Sequence, residues 1–226
     1  MITKGREPHD DDSLGPNVPR TTHGARGATG PTGWLLGLAA GGIVLVWLGG
    51  PALRSALAYQ RQAVLAGECW RLLTGHLVHG SATHLFLNLV GLGLCAHLFR
   101  DAYDARQWLS IAGTAALAMA AGFVLFEPQL AWYVGFSGIL HGILAAGAVA
   151  WWQQRPRLLA LALSVLVCAK LAWEQWRGAL SLSGDMPVIV DAHLYGAAGG
   201  LAAALVIAWR RRGRSRADLQ DWPYEP

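Results

Sequence analysis

Apolar residues in this chain are gathered into long runs rather than spread at an amphipathic period. Trp34 to Leu53, Leu72 to Phe99, Gln107 to Phe126 and Pro128 to Gln154 contain no Asp, Glu, Lys or Arg. Each reaches the roughly 20 residues an α-helix needs to cross a bilayer. A fifth run begins at Leu158 and is interrupted by Lys170 and Glu174, and a sixth goes from Ala192 to Trp209. No period-two alternation marks a barrel strand, so helices are the economical way to satisfy the backbone in lipid. The pattern predicts an all-α polytopic membrane protein with six spans, at 34–53, 83–99, 107–126, 136–153, 158–176 and 192–209.

Composition agrees with that pattern. Of 226 residues, 54% are hydrophobic, another 28 are Gly, and only 14% are charged, against roughly a quarter charged in soluble domains. A disordered chain, a coiled coil and an ordinary soluble globule are excluded. Six spans put both termini on one side of the membrane. Thirteen of the 18 Lys and Arg lie on the side that holds both termini, among them Arg100, Arg106, Arg155, Arg157 and the Arg210 to Arg216 cluster. The positive-inside rule therefore makes both termini cytoplasmic. Residues 1–33 have the composition of a disordered cytoplasmic tail, and 210–226 form a basic cytoplasmic tail. The net charge of +4 sits largely in the arginines on the cytoplasmic side, and no aromatic or basic recognition pattern accompanies it, so no nucleic-acid partner is expected. Cys69, Cys95 and Cys168 lack paired spacing and imply no disulfide framework.

Polar residues inside the spans mark where function should lie, because burying them in hydrocarbon is expensive. The second, fourth and sixth spans run in the same direction, so depth can be compared by counting to the first arginine at their ends. His84, Ser137 and His193 stand 16, 18 and 17 residues from Arg100, Arg155 and Arg210. At about 1.5 Å per residue these are heights of roughly 24, 27 and 26 Å, one level within a helical turn. Asn88 lies one turn from His84 on the same face. One serine, two histidines and one asparagine thus share a layer.

Ser137 lies between Gly135 and Gly138, which let backbone and substrate come close. Alone, a serine there is an ordinary device for helix packing. At the depth of two histidines it becomes a candidate nucleophile, with His193 the candidate base. Gly196 and Gly200, four apart, would let the sixth span press against the fourth. His84 and Asn88 suit the oxyanion role, since both can donate hydrogen bonds to a developing negative charge.

Trp70-Arg71, His79, His84-x-x-x-Asn88, Gly135-x-Ser137-Gly138 and Ala192-His193-x-x-Gly196-x-x-x-Gly200 stand in the order and on the spans of the rhomboid intramembrane serine proteases, which this sequence resembles over residues 34–209. Lys170-Leu171-Ala172-Trp173-Glu174-Gln175 and Val190 to Gly196 resemble the rhombosortase branch of that family. The resemblance implies a six-transmembrane-helix rhomboid fold and a Ser137/His193 dyad without an obligatory third acid. It also implies an oxyanion site of His84, Asn88 and the Ser137 N–H. The substrate it implies is the transmembrane segment of exported bacterial proteins that carry a C-terminal Gly-Gly-type sorting signal, cleaved in the bacterial inner membrane with the active site opening to the periplasmic side. Whether water or another amine receives the acyl group stays open.

His141 departs from the pattern, standing where many rhomboids place an aromatic residue four after the serine. Stacking on His193 is the preferred expectation, and a second proton relay is the alternative. Lys170 and Glu174, one turn apart, read as an internal ion pair. Glu174 is also level with the catalytic layer, which leaves open a role in recognising a polar group of the substrate. His76, His79 and His84 have spacings a metal could use, but no carboxylate or thiolate converges on them and no HExxH is present, so neither metal nor other cofactor is expected. The competing functional class is a non-catalytic rhomboid-like protein that binds and sorts transmembrane helices.

Overall fold

A computed structural model describes residues 33–179 and 188–220, with side chains through Gly213. The expected tail 1–33 lies, but for Gly33, outside the described residues, as do 221–226 and the connection 180–187. Nine α-helices are described: α1 Gly33–Leu48, α2 Gly50–Leu57, α3 Arg61–Leu65, α4 Arg71–Thr74, α5 Ala82–Leu98, α6 Ala105–Leu125, α7 Ser137–Gln154, α8 Arg157–Arg177 and α9 Val190–Gln220. Strands β1 Tyr59–Gln60 and β2 Trp132–Tyr133 pair antiparallel, Tyr59 opposite Tyr133 and Gln60 opposite Trp132.

Six of the helices fall on the six expected windows, with instructive differences at their ends. The first apolar run is not one helix. It breaks at Gly49, and Gly50, the first residue of α2, takes φ +79°, a backbone state that favours glycine, with Pro51 following in the first turn. The second run divides at a 90° bend between Arg71–Leu77 and Ala82–Leu98, where Ser81 accepts the His84 N–H and caps α5. At the other end of the chain α9 does not stop at Trp209 but continues through the arginine cluster to Gln220. Arg211 on it donates to the Ala102 carbonyl at 3.2 Å and to the Gln107 side chain, which ties this segment to the α5–α6 connection.

Among the described residues, α6, α8 and Val190–Gly213 of α9 are each long and apolar enough to cross a membrane, and the bent pair around α5 makes a fourth if it is one span. The 16 residues of α1 fall short. Helix α7 is the hub: 11 of its 18 residues are buried, and it packs most extensively on α9, while α6 covers α9 from another side. Neighbouring helices, not lipid, sheathe it, and its polar residues follow from that.

Glycines make the α7–α9 contact. A Cβ on Gly142 would lie 2.7 Å from the Gly196 carbonyl oxygen, and one on Gly138 would lie 2.8 Å from that of Ala192; Cβ atoms on Gly196 and Gly200 would strike the Gly138 and Gly142 backbones. The close approach expected from Gly196 and Gly200 is thus present, with Gly138 and Gly142 as its other half. At the far end of α6, the Arg61 guanidinium donates to the carbonyls of Phe123, Val124 and Glu127 at 2.9 to 3.3 Å. The Phe123 and Val124 carbonyls are helix-terminal acceptors that need a donor from outside α6, and the Glu127 carbonyl just beyond the helix shares Arg61 with the Leu130 N–H.

Candidate active site

Five elements deliver the site: β2, α5, α7, α8 and α9. β2 leads into Gly135, whose φ of +127° turns the chain so that Ser137 becomes the first residue of α7. A side chain at 135 is excluded twice, by that conformation and because its Cβ would lie 2.7 Å from the His84 ring. Tyr133 holds the turn by donating its hydroxyl to the Gly135 carbonyl at 2.7 Å. Full burial pushes the Tyr133 phenol up from its ordinary range, so it stays a neutral donor.

His193, near the start of α9, comes to Ser137 across the glycine contact, with Nε2 and Oγ 2.9 Å apart. Its other ring nitrogen, Nδ1, is 2.9 Å from Glu174 Oε2 on α8. The second carboxylate oxygen, Oε1, accepts from Lys170 Nζ at 2.6 Å. Glu174 is 3% exposed and His193 4%. The Lys170–Glu174 pair expected from the sequence is therefore present, and both Glu174 oxygens have partners within the protein.

His141, one turn into α7, lies over His193 with ring centroids 4.1 Å apart and planes within 19° of parallel. Its Nδ1 is 2.7 Å from the Ser137 carbonyl oxygen, which can only accept, so Nδ1 carries the proton. His84 borders the same space from α5. The point 2.8 Å from its Nε2 where a Gly135 Cβ would stand is 3.9 Å from Ser137 Oγ. His79 packs edge-on against the His84 ring at 4.9 Å. Asn88 is buried and donates to the His84 carbonyl at 2.9 Å; it braces the first turns of α5 and stands one turn behind His84.

The three donor groups His141, Glu174 and His193 lie with their ligand atoms within 4.8 Å of one another. Face-to-face stacking aims the two imidazole planes in parallel, so their in-plane lone pairs do not converge on one ion. Among the described residues this is the one grouping of at least three potential metal ligands, and it is not the His76, His79 and His84 set that the spacing brings to mind.

Sequence reasoning assembled Ser137, His193, His84 and Asn88 but missed the bond from Glu174 to His193. The signal was available, because the depth count puts Glu174 at the level of His193. Tyr133 was also missed; it precedes Ser137 on the two-residue strand β2, too short for any periodic signal.

A family model described as the Rhomboid domain matches residues 66–210. The chain belongs to the rhomboid family. No curated protein matches it. Rhomboid proteins form a family of intramembrane-protease type, and the matched region takes in every site residue named above, from the segment before α4 to α9. With its apolar helices, this rhomboid chain is a multi-pass membrane protein.

Proposed function

We propose that this rhomboid protein is a serine endopeptidase acting within the membrane through Ser137 and His193. The 2.9 Å approach of His193 Nε2 to Ser137 Oγ carries this reading. In the first step Oγ attacks a substrate carbonyl carbon, its proton passes to Nε2, and the carbonyl electron pair moves onto oxygen. That oxyanion faces His84 and the N–H groups at the start of α7, where the helix dipole also favours negative charge. Collapse of the intermediate breaks the C–N bond, and His193 returns the proton to the leaving amine. Water, activated by the same histidine, releases the acyl group; an amine in place of water gives a transfer product.

Six helices cross the bilayer in this proposal, both termini are cytoplasmic, and the site opens to the periplasmic side of a bacterial inner membrane. The arginine distribution supports that orientation. The substrate is a transmembrane segment bearing a C-terminal Gly-Gly-type sorting signal, supported by the likeness of the Lys170 to Gln175 and Val190 to Gly196 segments to the rhombosortase branch. Glycines weaken a helix by about 1 kcal/mol each relative to alanine, and having no side chain they suit the narrow space between Gly135 and the His84 ring.

The test uses purified full-length protein and its Ser137→Ala variant with a reporter that ends in a Gly-Gly transmembrane signal and a basic tail. Product masses located near the glycines with the native protein, and absent with the variant, are the expected result. Binding of an uncut reporter by both proteins would instead establish the non-catalytic helix-sorting class.

A further inference from the structure

The family resemblance calls for no third acid beside the serine and histidine, yet this chain buries one there. Glu174 sits on α8, and 19 residues separate it from His193, so no helical neighbourhood brings the two together. Tertiary packing does. Placing a carboxylate inside a helical bundle at membrane depth is costly unless its oxygens are fully paired. Both are: Oε2 with His193 Nδ1 at 2.9 Å and Oε1 with Lys170 Nζ at 2.6 Å. Lys170 precedes Glu174 by one helical turn and keeps its side chain 32% exposed, so it supplies the counter-charge while its stem stays on the bundle surface.

The donor and acceptor inventory then fixes a proton. An ionised carboxylate only accepts, so Nδ1 of a neutral His193 is the N–H, and the lone pair on Nε2 faces Ser137 Oγ. A packing histidine would have no need of this arrangement, and a substrate-recognition carboxylate would leave an oxygen free. We propose that Glu174 is the positioning residue of the base and Lys170 the clamp that holds it, making the site a Ser137, His193, Glu174 relay with a built-in counter-ion. The inference rests on the serine-protease reading above. When Oγ forms its bond to the substrate carbon and its proton moves to Nε2, the imidazolium is stabilised by Glu174, and the Nδ1 proton stays where it is.

The groups facing His193 are Glu174 from α8 with Lys170 behind it, His141 and Ser137 from α7, and His84 across from α5; Asp191 precedes it on its own helix. Of these, Glu174 alone is a carboxylate bonded to the ring. Replacing it and replacing Lys170 should therefore have opposite effects on how the rate depends on pH.

The experiment measures the rate at which a fluorophosphonate, which needs only an activated serine, labels full-length protein in lipid nanodiscs from pH 5 to 9. Native protein, Glu174→Gln, Lys170→Met, Lys170→Arg and Ser137→Ala are compared, with a thermal melt of each. Glu174→Gln should label about 10²- to 10⁴-fold more slowly, with its acid limb displaced to lower pH, because the amide can present the wrong tautomer and no longer stabilises the imidazolium. Lys170→Met should be about tenfold slower with the limb displaced to higher pH, and Lys170→Arg should recover most of that loss. Folded Glu174→Gln labelling within threefold of native protein overturns the proposal, and so does a slow variant whose limb has not moved. If Glu174→Gln fails to fold, Lys170→Met decides, and a native rate or an unmoved limb there overturns it. Native protein that labels no faster than Ser137→Ala removes the serine-protease reading itself, and the relay falls with it.

Discussion

His141 and His193 stack face to face at 4.1 Å, on two helices held together by glycines rather than by large side chains. The stack gives the His193 ring a flat wall on one side while Glu174 and Ser137 fix its two nitrogens in the plane. His141 itself is tied to the backbone of the residue it serves, through Nδ1 to the Ser137 carbonyl.

That wall needs an aromatic face and not a second titrating group. His141→Phe should retain cleavage of the Gly-Gly reporter within about tenfold, whereas His141→Ala, which loses a ring pair worth about 0.5–1.5 kcal/mol, should lose more. Initial rates of product formation check this. A loss with His141→Phe as deep as with His193→Ala would make His141 a proton carrier instead.

In the proposed dyad Ser137 and His193 act as a unit, so their effects should not add. Ser137→Ala, His193→Ala and the double variant should each fall by at least about 10⁴-fold in turnover and sit within a few-fold of one another. Single-turnover assays with excess enzyme make the comparison.

Gly135 and His84 should fail together. Alanine at 135 combines a positive φ with a Cβ driven into the His84 ring, and loss of one oxyanion donor costs about 10² to 10³ in turnover. Gly135→Ala and His84→Ala should both lower turnover by that order, and combining them should add little. A double variant that multiplies the two losses would separate the residues.

The α7–α9 contact has no room for a methyl group. Gly196→Ala and Gly200→Ala should each destabilise by about 1–3 kcal/mol, the usual penalty for overpacking. Gly93→Ala on α5 meets nothing within 4 Å and serves as the control. Thermal unfolding in detergent, followed by circular dichroism, gives the ranking.

Arg61 should matter for stability out of proportion to its place at the start of the short helix α3. Arg61→Gln strips the Phe123 and Val124 carbonyls at the end of α6 of their donors, while the Glu127 carbonyl keeps the Leu130 N–H, and about 1–3 kcal/mol is expected for acceptors left without partners. The same unfolding assay reads it, and reporter cleavage measured well below the melting point should change far less.

Much of this was legible before any coordinates. Membrane-length runs placed α5 to α8 within two residues at most ends, because in an apolar solvent length and charge alone nearly decide where a helix can be. Depth counting brought Ser137, His193 and His84 together, since parallel helices of fixed rise convert sequence distance into height. Rotation about each helix axis is what counting leaves out. Glu174 was placed at the right height, but its face toward His193 depends on how α8 leans against α9. The breaks at Gly49 and at the 90° bend before α5 were also hidden, because a glycine that turns the chain and a glycine that eases packing look alike in a sequence. The length of α9 was underestimated because arginine is a good helix former once outside the apolar stretch.

Strand β1 pairs with β2 through only two residues on each side, and β2 ends two residues before the turn at Gly135 that leads into the helix of Ser137. Gly75, in the segment between α4 and α5, reinforces this stitch by accepting the Gly135 N–H at 3.1 Å. The height of Ser137 is thus set by a peripheral segment as well as by its own helix. A change that loosens the β1–β2 pairing or the Gly75 contact would therefore act on the turn before Ser137 without touching α7, α8 or α9, which makes a two-residue stitch the anchor of a helix that is otherwise held by its own packing.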